Sequence, residues 1–254
     1  MNATSLLVLL FLGGKLLAVL LWPTSPTAAI AVFLGVDAIV AWNIIVPSAQ
    51  GLGRIFTRFE TAQREVWLTI DDGPDPDDTP QIIALLAHHR AKATFFVVGK
   101  RAAQYPHLIS AIHAAGHEVA HHTHNHPIVS FWAAGPRRLG RELDDGFKAL
   151  ARHGISPTRY RNPGGTKSVF QEKATAKRQL ATIAWTIRSW DTVWRNPDAI
   201  VRRIMRKVTP GSIILMHEGS AAPAPTRIKA IARLLVQLET AGYQCVIPNQ
   251  SQLR

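Results

Sequence analysis

The sequence predicts an α/β domain built on parallel strands and preceded by a hairpin of two membrane-spanning helices. Three observations predict it. From Val66 onward, short apolar runs alternate with amphipathic stretches, the pattern of a βα repeat. Before Val66 stand two long apolar segments. The residues able to bind a metal or move a proton fall where the predicted strands end. Seven candidate strands in succession point to a barrel, closed or partly open, with an open doubly wound sheet as the alternative. No G-x-G-x-x-G or G-x-x-x-x-G-K-[ST] loop follows the first strand, so nothing marks a nucleotide site.

The apolar segments Leu6 to Trp22 and Ala28 to Val46 are each near the length that spans a hydrocarbon core of about 30 Å. Pro23 and Pro26 separate them, and residues 1–47 are read as a transmembrane hairpin. A cleaved signal peptide is the rival reading of the first segment, but no basic region precedes it and a second apolar segment follows at once. Lys15 and Asp37 would each cost about 2.5–3.5 kcal/mol near the membrane centre. Counted from the turn they lie at comparable depth, so they are expected to pair across the hairpin. The N-terminal tail and the turn carry no Lys or Arg, whereas Arg54, Arg58 and Arg64 follow the second segment. This places the main domain on the cytoplasmic side of a bacterial inner membrane. Leu52, Ile55, Phe56 and Phe59, spaced i, i+3, i+4 and i+7, predict an interfacial helix within a linker over 48–65.

The main domain is expected over 66–254. Its candidate strands are Val66–Ile70, Ala93–Val98, His117–His121, Thr158–Arg161, Thr182–Trp185, Ser212–Met216 and Tyr243–Ile247. Candidate helices lie between them: Pro80–His89, Arg101–Ala114, Arg137–Arg152, Ser168–Arg178, Pro197–Lys207 and Arg227–Thr240. Thr79-Pro80 and Asn196-Pro197 each set a capping side chain before a proline at the first helical position. Gly116, Gly154, Gly211 and Gly242 fall between helix ends and the next strands.

The chain has 254 residues, room for one large domain and an appendage. A net charge of +12 suggests an anionic partner: a membrane surface, a phosphorylated substrate or nucleic acid. With the apolar hairpin in front, a membrane is expected and nucleic acid is not. The single cysteine, Cys245, excludes a disulfide framework within the chain and a cysteine-rich zinc site, and reads as a buried thiol in a strand.

Asp71 and Asp72 end the first strand, and because side chains alternate along a strand they point in different directions. One can bind a metal while the other handles a proton. His121-His122-Thr123-His124-Asn125-His126-Pro127 ends the third strand, Arg161-Asn162-Pro163-Gly164-Gly165 the fourth, and His217 the sixth; Arg188, Trp190 and Asp191 follow the fifth. Pro127 disfavours a helical His126, so His122 and His126 are placed on a turn. Two imidazoles and a carboxylate suit a divalent metal with a position left for water. His113, His117, His121 and His124 read as surface residues or as supports for that turn, and His88 and His89 as helix residues without chemistry.

Asp71-Asp72, His122-Thr123-x-x-His126-Pro127, Arg161-x-Pro163 and Leu215-x-His217 resemble the motifs of the polysaccharide deacetylases (the NodB homology domain, carbohydrate esterase family 4). The resemblance covers roughly Val66 to Ile247. It implies a distorted (β/α)7 barrel. It implies that Asp72, His122 and His126 hold a metal, most often Zn2+, that Asp71 is the general base, and that His217 is the general acid. It further implies that Arg161 orients Asp71, that Asp191 acts on His217 or the arginine, and that Leu215 lines an acetyl pocket. Pro163, Gly164 and Trp190 would contribute to substrate binding. This sequence departs from the pattern at Ile70, where the family has Phe, at Gly164, where it has Tyr, and at Thr192, where it has Trp.

A metal-dependent N-deacetylase of an N-acetylhexosamine is therefore expected. The hairpin and the basic charge favour a sugar carried on undecaprenyl phosphate and destined for lipid A or another surface glycan. The apolar loop Ile128–Trp132 beside the metal motif suits a lipid-facing site equally well as a core-packed one. A membrane-tethered extracytoplasmic polysaccharide or peptidoglycan deacetylase is the alternative, and a non-catalytic carbohydrate-binding membrane protein the alternative of another class.

Overall fold

The computed structural model describes residues 2–219 and 222–254. The strands are β1 (Ile55–Phe56), β2 (Glu65–Asp71), β3 (Ala93–Val97), β4 (Glu118–His121), β5 (Arg159–Tyr160), β6 (Ala181–Ile183), β7 (Ile187–Arg188), β8 (Ser212–His217) and β9 (Gln244–Cys245). All seven expected strands are present, and β1 and β7 are additions. Every strand pairing is parallel, in the order β1-β6-β5-β4-β3-β2-β8-β7, with β9 also paired to β2.

The sheet curls without closing. Among the described residues β1 and β7, at the two ends of the path, do not pair, so the architecture is a half-barrel rather than a closed (β/α)7 barrel. The gap is narrowed where the chain leaves β1: Arg58 and Ser212 form an antiparallel bridge, and the Thr186 hydroxyl donates to the Thr57 carbonyl at 2.5 Å.

Period-2 alternation along β2 separates two environments. Val66, Leu68 and Ile70 join the large core beneath the helices, with Phe95, Val97, Ile214 and Met216. Trp67 joins a second cluster with Phe96, Ala120, Ile183 and Ile213, inside the curl. Thr69 and Asp71 continue that inner row toward the strand ends. In register, Asp71 pairs with His217 across β2 and β8, which sets an acid and a base side by side.

The covering helices are α3 (Thr79–His88), α4 (Gly99–Gln104), α5 (Pro106–Ala114), α6 (Pro136–Ala151), α7 (Gln171–Ala176), α8 (Pro197–Met205) and α9 (Ala224–Thr240). The single helix expected over 101–114 is split at Tyr105, because Pro106 opens a new one. Asn196 caps α8 as expected, accepting from the amides of Asp198 and Ala199. Thr79 does not cap α3: it lies inside the helix, and its hydroxyl instead donates to Glu218 and accepts from the Asp75 amide. Gly211 has φ +79°, and a Cβ there would sit 2.1 Å from the Phe59 carbonyl oxygen, so only glycine fits. Cys245 is buried in β9, and burial pushes its thiol up to about 12.

The N-terminal segments form α1 (Ala3–Leu21) and α2 (Pro26–Ile45), both long and apolar enough to cross a membrane. Lys15 meets Asp37 as expected, Nζ to Oδ2 at 2.7 Å, and its ammonium also lies 3.1 Å from the Phe33 ring centre. The expected helix within 48–65 does not form. Gly51 and Gly53 flank Leu52, a sequence that holds a helix poorly, and the open edge of β6 takes Ile55 and Phe56 into the sheet. Leu52, Ile55 and Phe59 are buried in the domain rather than presented to lipid.

The hairpin is seated on the domain. The Lys167 amide donates to the Ile44 carbonyl at 2.9 Å, and its buried ammonium donates to the Val46 carbonyl just past the end of α2. The Gly51 amide donates to the Asn43 side chain at 2.8 Å, and Glu172 accepts from the Thr4 amide at 3.1 Å.

Candidate active site

At the C-terminal ends of the strands lies a cleft of about 540 Å³. Asp71, Asp72, His122, His126, Leu215, His217 and Gly164 all line it. Arg161 and Asp191 lie behind them, each bonded to a residue of the wall.

Asp72 Oδ1 is 3.1 Å from His126 Nε2 and 3.4 Å from His122 Nε2. One ligand atom from each of the three lies within 4.8 Å of the others. His122 Nδ1 is 2.9 Å from the Arg161 carbonyl oxygen; that nitrogen therefore carries the proton, and Nε2 keeps its lone pair for the cleft. His126 Nε2 is buried and makes no hydrogen bond. Burial and the neighbouring His122 hold the His126 pKa down to about 4, so its imidazole is neutral near pH 7. Burial opposes charge on Asp72, but His122, His217 and His126 outweigh it and keep the carboxyl well below the usual range. Two imidazole nitrogens and one carboxylate oxygen, all turned to a common point in the cleft, fit a divalent cation.

The histidine turn is held from below. Glu142 of α6 accepts from the amides of His124 and Asn125 at 3.1 and 2.9 Å, and from the Asn125 side chain at 3.0 Å. His121 Nδ1 accepts from the Thr123 amide at 3.0 Å, and its Nε2 lies 2.9 Å from the Leu143 carbonyl oxygen. Asp72, Thr123 and His126 adopt φ values of +74°, +64° and +56°, and non-glycine residues in that region concentrate at functional sites.

Arg161 is buried, and four of its five N–H groups are engaged. Its guanidinium donates to Asp71 at 2.6 Å, Thr69 at 2.8 Å, and the carbonyls of Ile183 and Ala184 at 3.1 and 2.9 Å. One Asp71 oxygen is thereby fixed, while the other lies 3.7 Å from His122 Nε2. Asp191, fully buried, accepts from the His217 amide at 2.7 Å and meets His217 Nδ1 at 2.8 Å. Burial works against a charged His217, but Asp191, with Asp72 and Asp71 behind it, raises the pKa to about 9.

The expected substrate residues divide. Gly164 and Leu215 line the cleft; Pro163 and Trp190 do not. Trp190 instead lies under the Arg188 guanidinium at 4.5 Å. The walls come from Trp185 and Ile128, and a Cβ at Gly164 would stand 3.2 Å from Ile128, which thus packs where a larger residue would project. Lys100, Arg101, Asn125, Asn162 and Trp185 also line the cleft, although no motif assigns them a role. Lys100 follows β3 and Trp185 follows β6, so the rule that selected Asp71 would have reached both.

The polysaccharide deacetylase family profile matches residues 59–183. A chitooligosaccharide deacetylase of Sinorhizobium fredii is 37% identical over 203 residues, 75% of this chain and 93% of the relative. A peptidoglycan-N-acetylglucosamine deacetylase of Bacillus cereus is 33% identical over 190 residues, 74% of this chain and 88% of the relative. A crystal structure of a peptidoglycan N-acetylglucosamine deacetylase superposes with a TM-score of 0.71 at 27% identity, covering 76% of this chain and 89% of that one. With the ligand cluster and flanking groups assembled in one cleft, this chain belongs to the polysaccharide deacetylase family and is a metal-dependent amide hydrolase.

Proposed function

We propose that the chain is an N-deacetylase of N-acetylhexosamine units in a glycan, with N-acetylglucosamine oligomers as the substrate class and α1 and α2 as its membrane anchor. The observation that carries this is the pairing of Asp71 and His217 in register beside the Asp72–His122–His126 cluster. The names of the two relatives supply the substrate class.

Asp72, His122 and His126 would hold the divalent cation, with zinc favoured by two imidazoles and one carboxylate. When bound, it supplies Lewis acidity toward the acetamide carbonyl and lowers the pKa of water from 15.7 toward about 7. Asp71, with one oxygen held by Arg161, takes the proton from the attacking water through the other. His217, kept cationic by Asp191, gives its proton to the departing amine nitrogen, which leaves poorly without it. Leu215 and Trp185 provide the apolar surface for the acetyl methyl. Acetate release from chitooligosaccharides and peptidoglycan, measured on stripped and zinc-reloaded protein, tests this reading. No metal-dependent release from any amino-sugar glycan would favour the carbohydrate-binding alternative.

A second reading, an amino sugar on a lipid phosphate carrier, is favoured by the seating of the hairpin. Lys167 joins the end of α2 to the loop that carries Gly164, and Pro47 packs against Gly165. That arrangement sets the cleft beside the segment that would leave the bilayer. A topology reporter after Arg254 separates a cytoplasmic from an extracytoplasmic domain.

A further inference from the structure

We propose that the cleft contains an anion subsite, built on Arg188 and Lys100, that takes a phosphate ester on the amino sugar beside the scissile acetamide. The proposal rests on the deacetylase reading and narrows its substrate.

Besides His217, which Asp191 and the acids of the cluster hold as a cation, Lys100, Arg101 and Arg188 line the cleft. The acids lining it are Asp71 and Asp72, and both are committed, one to Arg161 and the other to the ligand cluster. Arg101 is partly engaged, 3.4 Å from Asp75 and from the Gly219 carbonyl oxygen. Lys100 and Arg188 have no ion-pair partner among the described residues, and Arg188 Nε is buried without a hydrogen bond. A neutral glycan can accept hydrogen bonds from this partly desolvated guanidinium but brings no charge to balance it, whereas an anionic substituent supplies both.

The position of Arg188 argues for a substituent close to the reacting nitrogen. β7 pairs with β8 so that Arg188 lies opposite Leu215, two residues before His217. Its guanidinium is stacked on Trp190 at 4.5 Å, and its carbonyl is held by Arg203 Nε at 3.0 Å. The side chain is thus fixed on the side where His217 meets the leaving amine. On a 2-acetamido sugar the anomeric carbon neighbours the nitrogen-bearing carbon, so a phosphate ester there comes within reach of the same wall. A planar guanidinium binds phosphate through paired hydrogen bonds, and Lys100 adds a point charge.

The test uses the full chain in detergent, loaded with zinc. Calorimetry compares N-acetylglucosamine 1-phosphate, the neutral methyl glycoside of N-acetylglucosamine, and N-acetylmuramic acid, which carries a carboxylate. The expected result is at least tenfold tighter binding of the phosphosugar than of the neutral glycoside, weakened by added salt. Arg188→Ala is expected to abolish that preference, Lys100→Ala to reduce it, and Arg188→Lys to retain part of it. Each is expected to lower affinity for the neutral glycoside far less than affinity for the phosphosugar. Equal affinities in the parent protein, no binding of any of the sugars, or a preference that survives Arg188→Ala would overturn the subsite. Equal affinity for N-acetylmuramic acid would overturn its assignment to phosphate. Acetate release on the same samples separates the two readings. Hydrolysis of neutral oligomers without a phosphate preference sinks the subsite alone, and a binding preference without hydrolysis sinks the deacetylase reading alone.

Discussion

Asp191→Asn removes the charge that holds a proton on His217 while leaving a side chain of the same shape. Asp191 is fully buried and bonds both the amide and Nδ1 of His217, and the imidazole pKa is raised to about 9. Without that carboxylate, burial is opposed only by the more distant Asp72 and Asp71, and the pKa should return to the ordinary value near 6.5 or below. The shift of at least about 2.5 units corresponds to roughly 3 kcal/mol of support for the cation, at about 1.36 kcal/mol per unit. At pH 8 the protonated fraction would fall from most of the molecules to roughly 3%, so the rate of acetate release should drop about thirtyfold. The assay is a pH–rate profile of kcat for parent and variant, in which the alkaline limb should move down by two units or more. Stability offers a second readout with a defined sign. A raised histidine pKa contributes stability that is fully present below about pH 6.5 and is lost as pH rises through about 9. Asp191→Asn should therefore cost most stability below pH 6.5 and progressively less above it. A variant slowed equally at every pH, with its alkaline limb in place, would refute the idea that Asp191 works through the charge on His217.

The remaining expectations concern the metal cluster, the anchor and the base of the fold. His126→Ala should weaken zinc binding by more than the roughly 10–100-fold expected of Glu142→Gln, which only loosens the turn; competition with a chromophoric chelator measures both. Reversing either Lys15 or Asp37 leaves two like charges within the hairpin and should lower membrane insertion, whereas exchanging them restores the pair and should recover it; glycosylation-reporter insertion assays read the difference. Gly211→Ala places a Cβ 2.1 Å from the Phe59 carbonyl oxygen in a left-handed conformation, and should cost about 3 kcal/mol or more in urea denaturation. Lys167→Met removes the donor to the carbonyl beyond α2, and should expose the 46–54 segment to limited proteolysis before the domain unfolds.

The site was legible because its chemistry is local to strand ends. Asp71 and His217 close apolar runs, His122 and Arg161 follow shorter mixed ones, and the parallel βα repeat forces all such ends to one rim. Lys15 and Asp37 were readable for a similar reason: a short turn fixes the relative depth of residues on either side. What failed was information held by partners distant in sequence. Residues 52–59 have helical spacing, but their conformation is decided by the open edge of β6, more than 120 residues later. Thr79 has the chemistry of a cap, yet Glu218 claims its hydroxyl. Trp190 stands next to Asp191 in the sequence, and only the Arg188 guanidinium stacked on it reveals its role. Closure of the sheet depends on whether two very short edge strands meet, and nothing in either β1 or β7 announces that they do not.

The joint at Lys167 has a mechanical consequence. Because the final turn of α2 is bolted into the same loop that forms one lip of the cleft, the catalytic centre has no swinging tether. Were the two helices set in a bilayer, it would stand at a fixed height, like a tool clamped to a bench. Work must be brought to it, so its choice among glycans would be made by how far each can reach from the membrane as much as by the shape of the sugar.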